Sequence, residues 1–435
     1  MIAMEMMSAV RPLETFVPPR AAGQRDVLSL ALPPMPLLHV AFVGVGARGR
    51  MAVTRWCHIP KVEIAAVCDV SKEVAEEVAR HVEQLGKPRP KVYWGETAYK
   101  ELCQQQGVNL VYVCTDWMSH VPIAIHAMEQ GRSVAVEVPA ALTLKDIWKL
   151  IDTAEQTRQH CMMLENAVYD RFETAVCQMV RGGLLGELVH VEGGYAHPID
   201  DRWTPWRMEY SRLNAGDVYP THSIGPVCRL LDIHRTDRMH YLTAMQTNAF
   251  LGTEMYQAVM GKACDCFANG DQTSTMIRTV KGKTMLIQHN VMTPRPYSRM
   301  FQAVGTAGYA AKYPVPEVQL SSEMAAKVGI EMEDDKLPLN ASQIETLLNH
   351  YAPSFSSETI SLAKELDARG GMSYFMDLRL AQCLQQGLPL DMDVYDLAEW
   401  CCIAELSKRS IEQGSMPVMI PDFVNRRSSV DTESI

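Results

Sequence analysis

The sequence has no apolar run approaching the ~18 residues that mark a bilayer-crossing helix, so no membrane span is expected. It has no basic run interleaved with aromatics, and its net charge of -10 reads as a solubility feature. Nucleic acid is therefore not an expected partner. The twelve cysteines are scattered, and Cys68, Cys114, Cys161, Cys401 and Cys402 sit inside apolar patterns. The Cys264-Asp265-Cys266 grouping lacks a second pair or a histidine at zinc spacing, so no metal site is expected. Buried, reduced thiols in a reducing compartment follow. The opening "MIAMEMMSAVRPLETFVPPR" lacks the charged-then-hydrophobic order of a signal peptide. Residues 1–36 read as a disordered leader, with the cytoplasm as the default location. A last absence is local: in "RSVAVEVPAAL", residues 132–142, Val138 stands between Glu137 and Pro139 and carries no proton.

What is present suffices for two domains. The chain has 435 residues, 47% hydrophobic and 21% charged, enough for two separate cores. Residues 37–165 alternate short apolar runs with amphipathic helices. Strands are predicted at 38–43, 62–69, 110–115, 133–138 and 161–165, with helices between them, including 119–130 and a long one from Lys145. Thr143 with Asp146 three residues on resembles a capping box. This rhythm predicts an α/β Rossmann domain with a doubly wound parallel sheet. After 165 the rhythm changes to a helix at 170–180 followed by strands, around 239–250, 272–280 and 283–292 among others. Residues 166–425 read as an α+β domain on an open antiparallel sheet, with 315–360 a polar surface excursion and 426–435 a flexible tail. An open sheet leaves a face to cover, which favours a homodimer.

The first domain carries a dinucleotide signature. Gly44, Gly46 and Gly49 form Gly-x-Gly-x-x-Gly directly after a strand and at the start of a helix. Asp69 ends the next strand, 20 residues past Gly49. The glycines let backbone approach a pyrophosphate, and the helix N-terminus supplies N–H groups and positive potential. Asp69 would accept from the ribose hydroxyls and repel a 2′-phosphate, which predicts NAD rather than NADP. Further cofactor contacts are expected at later strand ends: "CTDWMSH" (114–120), Glu137-Val138 and Asn166.

Four polar clusters mark the second domain. Tyr195 and His197 end a strand in "GELVHVEGGYAH", where Val189, Val191, Gly193, Tyr195 and His197 alternate onto one face. "WTPWRMEY" offers Trp203, Trp206 and Arg207, and "AGDVYPTHSIG" offers Asp217, Tyr219 and His222. "TPRPYSR" offers Arg295, Tyr297 and Arg299, although the two arginines read equally as a solvated surface pair. Aromatics beside Arg and His suit a sugar, giving flat apolar faces and fixed donors.

These motifs carry a resemblance. A Rossmann half followed by this α+β half looks like the Gfo/Idh/MocA oxidoreductase superfamily. Within it, "GVGARGR", "CTDWMSHVPIA", "AVEVPAALTL", "MMLENAVYD", "HVEGGYAH", "GDVYPTHSIGP" and "TPRPYSR" closely resemble glycoside hydrolase family 109, the NAD-dependent glycosidases with α-N-acetylgalactosaminidase activity. The likeness runs from about residue 38 to about residue 425. It implies NAD contacts at Ala47, Arg48, Asp69, Trp117, Met118, Ser119, His120, Glu137, Val138 and Asn166. It implies substrate contacts at Tyr195, Arg207, Tyr219, Pro220, Thr221, His222 and Tyr297, with His222 most closely tied to catalysis. Dehydrogenases of the superfamily commonly place a lysine where Val138 stands and an aspartate where Val218 stands, and both are absent here.

The resemblance also implies a route. NAD takes hydride from C3 of the sugar, the resulting ketone acidifies C2–H, and the aglycone leaves C1 by elimination. Water adds to C1, C2 is reprotonated and hydride returns to C3, giving hydrolysis with retention. Such chemistry does without the carboxylate pair of ordinary glycosidases. His222, Tyr219 and Tyr195 are the candidate proton carriers. The expected partner is a glycan or small molecule ending in an N-acetylhexosamine, with linkage and galacto or gluco configuration left open. An NAD-dependent sugar or cyclitol dehydrogenase and a non-catalytic NAD-binding regulator are the competing readings.

Overall fold

The computed structural model describes residues 11–199, 202–332, 334 and 336–426. Two compact units emerge, and neither is one continuous stretch. Among the described residues, one unit comprises 18–170, 355–401 and 423–426. The other comprises 11–17, 171–354 and 402–422.

The first unit is built on strands β1 (Leu38–Val43), β2 (Val62–Asp69), β3 (Lys91–Trp94), β4 (Leu110–Val113), β5 (Ser133–Val136) and β6 (Cys161–Met163). They form one parallel sheet in the order β3-β2-β1-β4-β5-β6. The run is apolar because helices cover both faces, and β4 and β5 are buried throughout. Thr143 caps the helix Leu144–Thr157 by accepting from Asp146 N–H. The edge strand β3 was not expected. It has four residues, follows Pro88 and Pro90 and pairs only with β2, so it offers no run long enough to show a period.

Residues 355–401, expected in the second domain, pack in this unit instead. The helix Met372–Gln386 lies on β1 and on the helix Ala47–Cys57. Its Asp377 makes a buried ion pair with Arg55 at 2.7 Å and accepts from the Tyr112 hydroxyl at 2.9 Å. Removing either charge of such a pair costs about 3–5 kcal/mol, which ties the late helix to the early sheet.

The expected disordered leader is corrected for residues 11–36. Arg20 donates twice to Glu155, Val27 is buried with its N–H on the Tyr395 hydroxyl, and Met35 N–H meets Leu384 O. Arg426, placed in the expected tail, is buried against Glu155 and Asp152. These bonds join residues more than a hundred positions apart, and they leave no local pattern. Residues 1–10 and 427–435, where the rest of both expectations falls, lie outside the described residues.

The second unit holds β7 (Leu188–Ala196), β8 (Met239–Gln246), β9 (Thr273–Thr279), β10 (Thr284–Asn290), β11 (Gln302–Gly305), β12 (Gly308–Ala311), β13 (Glu317–Leu320) and β14 (Val418–Met419). Their order is β13-β12-β11-β7-β10-β9-β8-β14. All neighbours are antiparallel except β7 and β10, so the sheet is mixed. Val191, Gly193 and Tyr195 share the buried face with Met285, Ile287 and His289. The helix Thr221–Leu231 covers it so closely that a Cβ on Gly193 would lie 2.0 Å from Ser223 O. Val189 departs from the predicted face and is exposed, next to the register shift between β11 and β7. Within 315–360, β13 and the helices Ser322–Lys327 and Ala341–Tyr351 replace the expected irregular excursion. Among the described residues, no helix is long and apolar enough to cross a membrane.

Candidate active site

The glycine loop has the shape a dinucleotide requires. Gly44 has φ +81°, and a Cβ there would meet Thr115 N at 2.7 Å. A Cβ on Gly49 would lie 2.0 Å from Gly44 O. Gly46, by contrast, opens onto free space and precedes a helix with no side-chain cap, which leaves N–H groups for an anion. Asp69 braces the loop, accepting from Val45 N–H at 2.9 Å and Ser71 N–H at 3.1 Å. Its carboxylate retains lone pairs for hydroxyl groups. These residues fit NAD.

Around the loop, Arg48 forks onto Glu137 at 2.8 and 3.3 Å. Burial works to raise the Glu137 carboxyl, but Arg48, with Arg55 and His120, holds it below its ordinary range. His120 is buried with its ring nitrogens 2.9 Å from Pro139 O and 3.1 Å from Thr115 O, and burial lowers its basicity. Ser119 donates to Asp116, Trp117 is buried and Met118 is exposed. Val138 is buried beside Glu137 at the end of the β5 segment. Asn166 is buried, its amide donating to Ser373 at 2.9 Å.

In the second unit five rings meet. Tyr195 and His197 stand two apart at the end of β7 and share a side, with centroids 4.8 Å apart. Ser298 pairs with Ala196 through both backbone bonds, which brings Tyr297 next to His197 at 5.4 Å. Tyr219 and His222 flank the first turn of the helix Thr221–Leu231 and face Tyr195 at 5.4 and 4.9 Å. The Tyr219 hydroxyl is 3.4 Å from His222 Nε2. Trp203, Met208, Tyr256 and Phe267 pack with Tyr195 as an apolar wall.

The Tyr219–His222 run divides. Tyr219 and His222 reach the ring cluster, whereas Pro220 caps the helix and Thr221 points into the fold, fully buried. Arg207 lies on the helix Pro205–Leu213, 5.1 Å from the Trp206 ring, with Nη1 3.4 Å from Arg202 O. Asp217 braces the approach to the helix, accepting from Tyr219 N–H at 3.2 Å. Burial pushes its carboxyl up to about 7, against that one backbone bond. Two neighbours, His289 and Glu173, escaped the sequence reading. His289 is in register with Tyr195 on β10, and burial, with His197, pushes it down to about 4. Glu173 and Arg299 form a buried pair behind Tyr297, so Arg299 is not the solvated residue the sequence allowed. A β period places His289 inward, but only the β7–β10 pairing sets it beside Tyr195.

Fold and glycine loop together define an NAD-binding Rossmann protein of the oxidoreductase type with an α+β second domain. Residues 38–165 match the oxidoreductase family, NAD-binding Rossmann fold, and residues 169–429 match the glycosyl hydrolase 109 C-terminal domain. The chain is 49% identical over 423 residues to glycosyl hydrolase family 109 protein 1 of Bacteroides fragilis, covering 95% of this chain and 91% of the relative. It is 47% identical over 430 residues to the family 109 protein of Porphyromonas gingivalis, covering 97% and 92%. Among solved structures, myo-inositol dehydrogenase from Lactobacillus casei in complex with NAD(H) and myo-inositol shares the fold. Its TM-score is 0.61 at 16% identity, over 89% of this chain and all (100%) of that one. The chain belongs to glycosyl hydrolase family 109, and its Rossmann domain and family support an NAD-dependent glycosidase.

Proposed function

We propose that this protein hydrolyses terminal N-acetylgalactosaminides, α-linked, with retention of configuration. The observation that carries the reading is the Tyr195, Tyr219 and His222 cluster, in which the proton-carrying groups are rings held at contact distance. Val138 offers nothing for proton transfer at the position where sugar dehydrogenases of this fold commonly use lysine. NAD, when bound, supplies reversible hydride transfer at C3 of the sugar. Gly44, Gly46, Ala47, Arg48, Gly49 and Asp69 hold it, with Trp117, Met118, Ser119, His120, Glu137, Val138 and Asn166 at the later strand ends.

His222 accepts the proton of the C3 hydroxyl and returns it at the end. Once C3 is a carbonyl, C2–H is acidic enough for a phenol-assisted base, and Tyr219 or Tyr195 serves that step. Arg207 and Tyr297 anchor the sugar, and Arg207 can stabilise the developing enolate oxygen. Tyr195 and the apolar wall behind it supply a flat surface for sugar C–H groups.

Two coarser proposals accompany this. Glu192, Ser274, Met276, Arg278 and Gln288 leave one side of the second sheet partly exposed, and a second copy of the chain is proposed to cover it. All twelve cysteines are free thiols, which suits the cytoplasm. Sedimentation analysis checks the first, and cell fractionation the second.

The deciding experiment is a panel of p-nitrophenyl glycosides assayed with and without NAD. Release of p-nitrophenol from the α-N-acetylgalactosaminide, dependent on NAD and without net NADH, is the expected result. Stoichiometric NADH from a free sugar would instead make the protein a dehydrogenase. Denaturing the purified protein and measuring released dinucleotide accounts for cofactor carried through purification.

A further inference from the structure

Arg299 is 3% exposed, while Tyr297, two residues earlier, is 44% exposed. Arg299 Nη1 donates to the Tyr297 hydroxyl at 2.8 Å, and Arg299 Nε donates to Glu173 Oε1 at 3.0 Å. Glu173 comes from the first turn of the helix Arg171–Arg181 and is equally buried. Lys312 Nζ approaches the same Glu173 oxygen at 3.7 Å, and the Tyr313 ring lies 5.8 Å from the guanidinium. The backbone is fixed as well, since Arg299 O accepts from Gly194 N–H of β7. The guanidinium is thus locked on several sides, with one arm on an accessible phenol.

A guanidinium carries donors and no acceptor. The Tyr297 oxygen must therefore accept from Arg299, and its own O–H must point elsewhere. Among the described residues no protein acceptor takes that O–H. Beside it stands His197, whose ring is shared with Tyr195 of the cluster.

We propose that Arg299 is a positioning residue that fixes Tyr297 as a one-way hydrogen-bond donor to an oxygen of the bound sugar. This rests on the glycosidase reading above. An unconstrained phenol could accept from a sugar hydroxyl as readily as donate to it, and the buried arginine removes that choice. Arg299 itself touches no sugar.

The test is a double-mutant cycle on the NAD-loaded, full-length protein. Y297F keeps the Arg299–Glu173 pair and deletes the donor. R299K keeps a positive charge opposite Glu173, but its single ammonium loses the planar fork that grips both partners. Kinetics on the p-nitrophenyl N-acetylgalactosaminide should show each variant losing about tenfold in kcat/KM, the scale of one hydrogen bond. In the Y297F background R299K should cost less than about twofold, because its partner is already gone. Circular dichroism melts and bound NAD confirm folding. If R299K does not fold, E173Q loosens the same guanidinium and its loss must likewise vanish in the Y297F background.

Equal losses from R299K in both backgrounds overturn the inference, as does an R299K enzyme at wild-type efficiency. Either result leaves the glycosidase reading intact if the wild type cleaves the substrate. If the wild type binds N-acetylgalactosamine without cleaving any glycoside, the same cycle is read on Kd. The missing cleavage then sinks the glycosidase reading, while coupling in Kd upholds the Arg299 role and its absence overturns it. A wild type that neither cleaves nor binds the sugar overturns both.

Discussion

The Tyr219 hydroxyl lies 3.4 Å from His222 Nε2, three residues along the turn that opens a helix, and both rings face Tyr195. A phenol and an imidazole in that relation can pass a proton without moving backbone. His222→Ala should fold and retain NAD, yet lose about 10²–10⁴-fold in kcat, the scale of a general acid–base group. Tyr219→Phe should lose less, because Tyr195 remains. Steady-state rates on a p-nitrophenyl glycoside, with released dinucleotide as control, check both. Near-full turnover by His222→Ala would remove it from the assignment.

Asp217 and His289 give opposite pH slopes over nearly the same window. Burial raises Asp217 from 3.8 to about 7, so its contribution is fully present below pH ~4 and is lost as pH rises through about 7. Burial and His197 lower His289 from 6.5 to about 4, so its contribution is present above pH ~6.5 and is lost as pH falls through about 4. The two slopes oppose, and because burial pushes His160 down to about 4 as well, the wild-type melting curve should still rise with pH between 4 and 7. Asp217→Asn should steepen that rise, and His289→Leu should flatten it. Thermal melts at half-unit intervals decide it, and parallel curves for all three proteins would refute it.

Two glycines of one motif should fail differently. Gly49→Ala puts a methyl 2.0 Å from Gly44 O, so the fold itself must shift, at about 1–3 kcal/mol. Gly46→Ala meets nothing within 4 Å, and the protein should melt as wild type while NAD affinity falls. Melting temperatures and dinucleotide titration separate the two. Unchanged NAD binding by Gly46→Ala would mean that the pyrophosphate does not approach there.

Substrates can test the hydride route directly. A 3-O-methyl or 3-deoxy N-acetylgalactosaminide should resist cleavage by at least a hundredfold, since no carbonyl can form beside C2. In deuterium oxide the sugar product should carry deuterium at C2, read by proton NMR. Brisk cleavage of the capped substrate would refute the route.

Much of the first unit was legible because its signals are local. The strands 38–43 and 62–69, the glycine loop and the Thr143 cap each show within a short window and recur in the structure at the predicted residues. The edge strand β3 did not show, being four residues long behind two prolines. In the second unit, alternation in 188–197 oriented Tyr195 and His197 correctly, but the shift opposite Gly305 exposed Val189. Residues 18–36 and 355–401 were misplaced because Arg20–Glu155 and Arg55–Asp377 join residues far apart in the chain.

By itself the sequence determined the parallel sheet, the glycine-rich turn and the inventory of rings, since each follows from periodicity or spacing within a few residues. Only the tertiary structure decided which of those rings touch. Tyr297 meets His197 because Ser298 pairs with Ala196, and His289 stands beside Tyr195 because β10 runs parallel to β7. Arg299 turned from a candidate surface residue into a buried brace because a helix far upstream in sequence presents Glu173 to it. Strand register and long-range burial are set by the whole packed core, and no short window of residues encodes them.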